Sequence, residues 1–121
     1  MKIRYLLIIG LALVLATSTN AIAHSGLISS NPKSGSLLTK LPTTISLKFN
    51  GNLISVAKKE VNKVTILGPN GSYGIGKPHV KGNQISLTTN GSSDSGSYQI
   101  KWRVVSEDGH PISGSFKFKV R

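Results

Sequence analysis

The feature that most constrains the fold is an uninterrupted alternation of apolar and polar residues over positions 98–104. Its apolar positions are Tyr98, Ile100, Trp102 and Val104. The residues between them are polar or basic: Gln99, Lys101 and Arg103. Because successive side chains of a β-strand point to opposite faces, this pattern predicts a strand with one face in a core and the other in solvent.

Similar but shorter patterns recur along the chain and are separated by Gly, Pro and Asn turn signals. They predict strands at residues 27–30, 43–49, 63–67, 84–88 and 116–120. Residues 73–81 are rich in glycine and predict an edge strand or a loop, and residues 53–62 are interpreted as a loop. Six or seven short strands without a helix of ten residues are typical of an all-β protein, a small antiparallel β-sandwich.

Residues 1–23 have the organisation of a secretory signal peptide. A basic start with Lys2 and Arg4 precedes an apolar run over residues 6–16, and Ala21-Ile22-Ala23 has the small-x-small pattern of a cleavage site. The apolar run is much shorter than the about 20 residues that span a bilayer. We therefore expect cleavage after Ala23, a single exported domain over residues 24–121 that begins at His24, and a soluble protein in the periplasm.

The composition limits the partners and the metal chemistry. The formal net charge is +11, with 15 Lys and Arg against four Asp and Glu. A basic chain can bind nucleic acid, but an exported protein rarely meets any, so we expect no nucleic-acid partner and instead an attraction to anionic head groups or acidic partners. The chain has no Cys, and its single Met is Met1. Residues 24–121 therefore offer no sulfur ligand.

Two potential metal ligands lie close together at the end of the alternating stretch. Asp108 and His110 are two residues apart, and Pro111 biases His110 towards extended backbone. In extended backbone both side chains leave the same side. A carboxylate and an imidazole that converge can bind Cu(II) or Zn(II). The Asp-Gly pair within this segment is also a strong hairpin-turn signal, so a plain turn without a metal remains the alternative.

The other two histidines differ in what they can contribute. After cleavage, the α-amine and the imidazole Nδ1 of His24 can close a chelate ring on one metal ion; alternatively, His24 is a frayed terminal residue. With Asp108 and His110, this gives three nitrogens and one oxygen, a donor set that suits tetragonal Cu(II). His79 has no second ligand near it in sequence and is interpreted as a surface-loop residue.

Several segments together resemble one family, the CopC-like periplasmic copper-resistance proteins. The shorter matching segments are His24-x-x-Leu27, Ser30-x-Pro32-x-x-Gly35, Leu47-x-Phe49 and Gly96-x-Tyr98. The most specific segment is Trp102-Arg-Val-Val-Ser-Glu-Asp-Gly-His-Pro111, followed by Gly114-Ser-Phe-Lys-Phe118. The resemblance covers nearly all of residues 24–121.

The resemblance implies a Greek-key sandwich or barrel of about seven strands, immunoglobulin- or cupredoxin-like. It also implies one Cu(II) per chain, bound by the amine and imidazole of His24 with Asp108 and His110, in a monomer that buffers or delivers copper. The proximity of His24 to the turn comes from the family, because sequence spacing does not show it. The chain ends at Arg121, directly after the last predicted strand, so any membrane copper transporter is expected to be a separate chain.

The sequence departs from the family pattern in two respects. It lacks the Met-rich segment of members with a second, Cu(I) site, so that site is expected to be absent. Many members carry an acidic residue shortly after the Leu-x-Phe strand, where this chain has Asn50-Gly51. A hydrogen bond from this residue to one of the metal ligands is then missing. Its absence changes the affinity for copper but not which residues bind the ion.

Two other function classes are compatible with these residues. Copper polysaccharide monooxygenases also use an N-terminal histidine chelate with a second histidine, but Asp108 argues against an open catalytic position. A non-metal adhesion or structural module would make His24 and the turn incidental. A Ser/His/Asp hydrolase is not supported, because no Gly-x-Ser-x-Gly segment is present.

Overall fold

The alternating stretch forms the centre of the longest hairpin in the structure, a computed structural model that describes residues 26–121. The signal-peptide prediction and His24 lie outside the described residues. The strands are β1 (Leu27–Asn31), β2 (Leu37–Leu38), β3 (Thr44–Phe49), β4 (Lys63–Gly68), β5 (Gly71–Ser72), β6 (Gly74–Lys81), β7 (Gln84–Thr89), β8 (Gly96–Val105) and β9 (Pro111–Val120). Seven of these strands have five or more residues, as the sequence predicted.

The strands form two sheets packed face to face. One sheet has the order β1-β3-β7-β6, and the other has the order β2-β9-β8-β4-β5. All strand pairs are antiparallel except the short pairing of β2 with β9. The central pairs β3–β7 and β4–β8 join strands that are distant in sequence, so the chain crosses repeatedly between the sheets. The predicted all-β sandwich is confirmed. Within residues 26–121, no helix is long and apolar enough to span a bilayer.

The core lies between the sheets and is built from the alternating apolar positions. Tyr98, Ile100, Trp102 and Val104 are all at most 4% exposed. Tyr98 stacks on Phe118 with a centroid distance of 5.4 Å, and the other buried side chains come from both sheets. Burial of each large apolar side chain contributes about 1.5–3 kcal/mol, and the described residues have no disulfide to add to this. The two-residue periodicity therefore fixes which face of each strand remains outside.

Three predictions about the middle of the chain have different outcomes. Residues 53–62 form a loop with isolated bridges at Leu53 and Val56, as expected. Residues 73–81 were predicted to be an edge strand or a loop, and they contain the edge strand β6. The interpretation of His79 as a surface-loop residue is wrong, because it lies in this strand and pairs with Ser86. The register shifts between Ile75 and His79. This irregularity accommodates Pro78, which has no backbone N–H for a ladder.

Candidate metal centre

Residues 106–110 form the turn that joins β8 to β9. The ladder closes at the pair Val105 and Pro111. Inside the turn, Gly109 N–H donates to the Ser106 carbonyl at 2.8 Å, and Ser106 N–H donates to the His110 carbonyl at 3.0 Å. Gly109 has a φ of +89°, a left-handed conformation that glycine adopts without a steric cost. The Asp-Gly turn signal is therefore realised at the point where the two potential ligands lie.

The turn brings Asp108 and His110 into direct contact. His110 Nδ1 lies 3.0 Å from Asp108 Oδ2. The other carboxylate oxygen, Oδ1, accepts hydrogen bonds from the His110 backbone N–H at 3.1 Å and from the Ser106 hydroxyl. The proximity of the two side chains was expected. The extended backbone that was expected to cause it is wrong, because a tight turn around Gly109 brings the side chains together instead.

Both side chains are accessible, and each shifts the protonation of the other. The side chain of His110 is 80% exposed and that of Asp108 is 67% exposed. Hydrogen bonds from the Ser106 hydroxyl and from His110 lower the pKa of Asp108 far below its usual range. The hydrogen bond and the charge of Asp108 raise the pKa of His110 above its ordinary value. The carboxylate is therefore available to a cation at any ordinary pH.

The pair lies at a cleft that also contains the start of the described chain. Gly26 and residues 50–52 line this cleft together with the turn. The Gly26 carbonyl accepts a hydrogen bond from Asn50 N–H at 2.7 Å, and the Asn52 carbonyl accepts one from Glu107 N–H at 3.0 Å. Residues 50–52 thus connect the chain at Gly26 to the turn through backbone hydrogen bonds. Asn50 and Gly51 stand where the resemblance implies an acidic residue in many family members, and neither carries a charge.

The potential metal ligands named from the sequence fall into three groups by their location in the structure. Asp108 and His110 are together, and the region of residues 26–121 holds no cluster of three or more His, Asp, Glu or Cys side chains suited to a metal. His79 lies exposed in β6 at a different cleft, together with Lys77 and Glu60. His24 is outside the described residues, two positions before Gly26.

Sequence reasoning missed Ser106, whose hydroxyl fixes the Asp108 carboxylate. It also missed Asn52, which holds the turn through its backbone carbonyl. The only sequence signal for Ser106 is its spacing of two residues from Asp108, which is common in turns. A backbone carbonyl leaves no signal in sequence at all, so Asn52 could not have been identified.

Fold and site together define a class: a two-sheet antiparallel β-sandwich with an exposed carboxylate–imidazole pair at one end. Residues 27–121 match the CopC domain, and the chain belongs to this family. The match confirms the resemblance identified from the sequence and includes Asp108 and His110.

Curated and solved relatives agree with this assignment. The chain is 31% identical over 109 residues to Copper resistance protein C of Xanthomonas campestris pv. juglandis, covering 86% of this chain and 85% of the relative. It is 35% identical over 109 residues to Copper resistance protein C of Pseudomonas syringae pv. tomato, covering 86% of each. Its structure is similar to that of PcoC, a methionine-rich copper resistance protein from Escherichia coli, with a TM-score of 0.64, 27% identity and coverage of 82% of this chain and all of that one.

Proposed function

We propose that this protein is an exported copper carrier that holds one Cu(II) as cargo through His24, Asp108 and His110. The observation that carries the proposal is the contact of 3.0 Å between Asp108 and His110 at the cleft that Gly26 lines. Two residues of chain reach at most about 7 Å. The terminal amine and imidazole of His24 can therefore enter the same cleft after cleavage at Ala23.

The donor set fits Cu(II). Imidazole and amine nitrogens with one carboxylate oxygen suit a tetragonal Cu(II) field. Because His110 Nδ1 faces Asp108, its Nε2 is the nitrogen directed away from the carboxylate and accessible to an ion. Asp108 contributes negative charge, and it orients the imidazole in the way that outer carboxylates orient metal-binding histidines. The Ser106 hydroxyl and the His110 backbone N–H hold the Asp108 carboxylate in place, whether it binds the ion itself or orients the imidazole.

The oxidised ion is the preferred cargo. Cu(I) is bound best by soft thioether and thiolate ligands, and residues 24–121 contain neither Met nor Cys. This is a difference from the methionine-rich relative. We infer that reduction of the copper weakens its retention, so a reducing partner would favour release.

The proposed role is transport or buffering and not catalysis. A catalytic metal generally keeps a coordination position open to substrate. If the Asp108 carboxylate turns from His110 Nδ1 to the ion, the amine, the two imidazoles and this carboxylate fill the four strong positions of Cu(II), and the anionic carboxylate favours the oxidised ion. The alternative, a monooxygenase-like enzyme, would instead show reductant-dependent turnover above free copper that His24→Ala abolishes. A non-metal interaction module would show no stoichiometric Cu(II) band.

We propose that the processed protein is a soluble periplasmic monomer that takes part in copper resistance or supply. A separate membrane copper transporter is the expected recipient or donor of the ion.

A titration of the processed protein with Cu(II) tests the proposal. Wild type should bind one equivalent, seen as a saturating d–d absorption band. His110→Ala should weaken binding by at least the about 10–100-fold that even outer-shell substitutions cost. His79→Ala is the matched control, because His79 is also exposed but lies in β6 at a different cleft. Equal affinity of wild type and His110→Ala would exclude this site.

A further inference from the structure

The outer face of the five-stranded sheet carries a cluster of cations that the copper site does not use. These residues, hereafter the basic face, are Lys63 on β4, Lys101 and Arg103 on β8, and Lys117 and Lys119 on β9. All five are exposed and alternate with buried residues of the same strands. Because β9, β8 and β4 are adjacent in the sheet, the five side chains lie on one continuous surface.

No carboxylate compensates these charges. The four acidic residues of the chain lie outside the strands: Glu60, Asp94, Glu107 and Asp108. Among the described residues, the ion pairs are Lys77 with Glu60 and His110 with Asp108, and neither involves the basic face. Lys63 and Arg103 are directly opposite each other in the ladder. Like charges in that position destabilise a sheet, so folding alone does not account for the arrangement.

The outer face of the other sheet is different. Its outward positions on β3 and β7 are mostly uncharged Ser, Thr and Gln, with Lys48 at one end of β3 and Lys81 at the end of β6. Lys77 on β6 is paired with Glu60 at 3.8 Å. Of the cations carried by the strands, five therefore lie on the outer face of the five-stranded sheet and three on the other sheet, one of them paired.

The basic face also has a local feature suited to a phosphate group. Lys63, Lys101 and Arg103 line one shallow depression. Its other lining residues are Thr65, Trp102, Ser113, Gly114 and Ser115. Three cations beside hydroxyl groups offer charge-assisted hydrogen bonds to phosphate oxygens. The depression is open and accessible from the flat sheet surface.

We infer that the basic face docks on an anionic phospholipid surface. Protein interfaces depend on buried aromatic and other large anchors near their centre. The outward positions between these cations hold Ser, Thr and Gln, and the exposed apolar side chains of this face, Leu67 and Leu37, lie at its margins on β4 and β2. Attraction to anionic lipid needs only clustered Lys and Arg near the surface. The inference does not depend on copper. Arg103 is two residues from the end of β8, so docking would keep the turn of Asp108 and His110 at the rim of the bound face.

Co-sedimentation with vesicles tests this inference. Wild type should pellet with mixed phosphatidylcholine–phosphatidylglycerol vesicles and not with pure phosphatidylcholine in about 0.1 M salt, where the Debye length is about 10 Å. Binding should be lost in about 1 M salt, where this length is about 3 Å. Lys101→Thr with Lys117→Thr should weaken binding about 25-fold, from about fivefold per lysine near an anionic surface.

The matched control is Lys48→Thr with Lys81→Thr, which removes the same charge from the opposite sheet and should cause a much smaller loss. Thermal unfolding and Cu(II) titration establish that both variants are folded. Equal losses in the two double variants would overturn the inference, since net charge alone would then explain binding. The inference would also be overturned if wild type did not pellet with the vesicles but bound polyglutamate through Lys101 and Lys117. The basic face would then recognise acidic protein.

Discussion

The imidazole of His110 and the carboxylate of Asp108 form a contact of 3.0 Å between Nδ1 and Oδ2, and the turn that carries them holds only one of the two carboxylate oxygens. Oδ1 is occupied by the His110 backbone N–H and the Ser106 hydroxyl. Oδ2 faces the imidazole. The carboxylate thus has a structural half and a half that is directed at the site. Substitutions can separate the two roles.

Asp108→Asn should weaken Cu(II) binding about 10–100-fold while the turn remains formed. The amide oxygen can still accept the hydrogen bonds from Ser106 and the His110 backbone, but the negative charge is lost. Competition with a Cu(II) chelator measures the affinity. Glu107→Gln removes the same charge from the neighbouring residue of the cleft and should leave the affinity nearly unchanged. If both variants lose affinity equally, Asp108 contributes only its negative charge to the electrostatic potential of the cleft, and its contact with His110 has no separate effect.

How much of the site could be predicted depends on whether its contacts are local. Asp108 and His110 are separated by one residue, so their spacing alone indicated a shared site. Residues 50–52 connect Gly26 to this turn through tertiary hydrogen bonds, and no local pattern predicts such contacts. The family resemblance, and not the spacing, provided the expectation that the first residue of the processed chain lies near the turn.

The fold likewise has features that local sequence patterns predict and features that depend on tertiary contacts. The long strands carry a two-residue periodicity, and their existence was predicted. Strand β2 has only Leu37 and Leu38, too few residues to show a periodicity. Its parallel pairing with β9 joins two segments that are more than 80 residues apart in sequence. His79 was misplaced because Gly76 and Pro78 are loop signals, which β6 tolerates only as an edge strand with a shifted register.

An additional residue before His24 should weaken Cu(II) binding strongly. The proposed chelate needs the free α-amine, and an amide nitrogen in its place is a much poorer donor. The loss should reach or exceed about 10–100-fold. Titration of the processed chain and of a chain with Met before His24 measures it. An additional residue after Arg121 is the control and should have no effect. Equal affinities of the processed and extended chains would exclude the chelate.

Asp94 should make stability depend on pH in acid. Its carboxylate accepts hydrogen bonds from the Tyr73 hydroxyl at 2.8 Å and from the Asn70 amide at 3.2 Å, and these bonds lower the pKa of Asp94. A carboxyl whose pKa is lower in the folded state stabilises the protein above its unfolded pKa of about 3.9, and this contribution is lost as pH falls through the folded value. Asp94→Asn should therefore unfold at lower urea concentration at neutral pH.

The difference in urea midpoint between wild type and Asp94→Asn should become smaller as the pH falls below about 4. Tyr73→Phe removes the donor that contributes most to the shift, and it should reduce the same pH-dependent difference. A midpoint difference that stays constant from neutral to acidic pH would show that the hydrogen bonds do not favour the ionised form.

Gly114→Ala should destabilise the sandwich by overpacking, at a cost of about 1–3 kcal/mol or more. A Cβ at this position would lie 2.8 Å from Cε2 of Trp102 and even closer to Cζ2. The indole has no room to move, because it is only 4% exposed and packs edge-on against Phe49 and Phe116, with centroid distances of 6.3 and 5.8 Å. Gly51→Ala is the control, since nothing lies within 4 Å of its Cβ position. Urea unfolding of both variants measures the difference, and equal midpoints would show that β9 can shift away from Trp102.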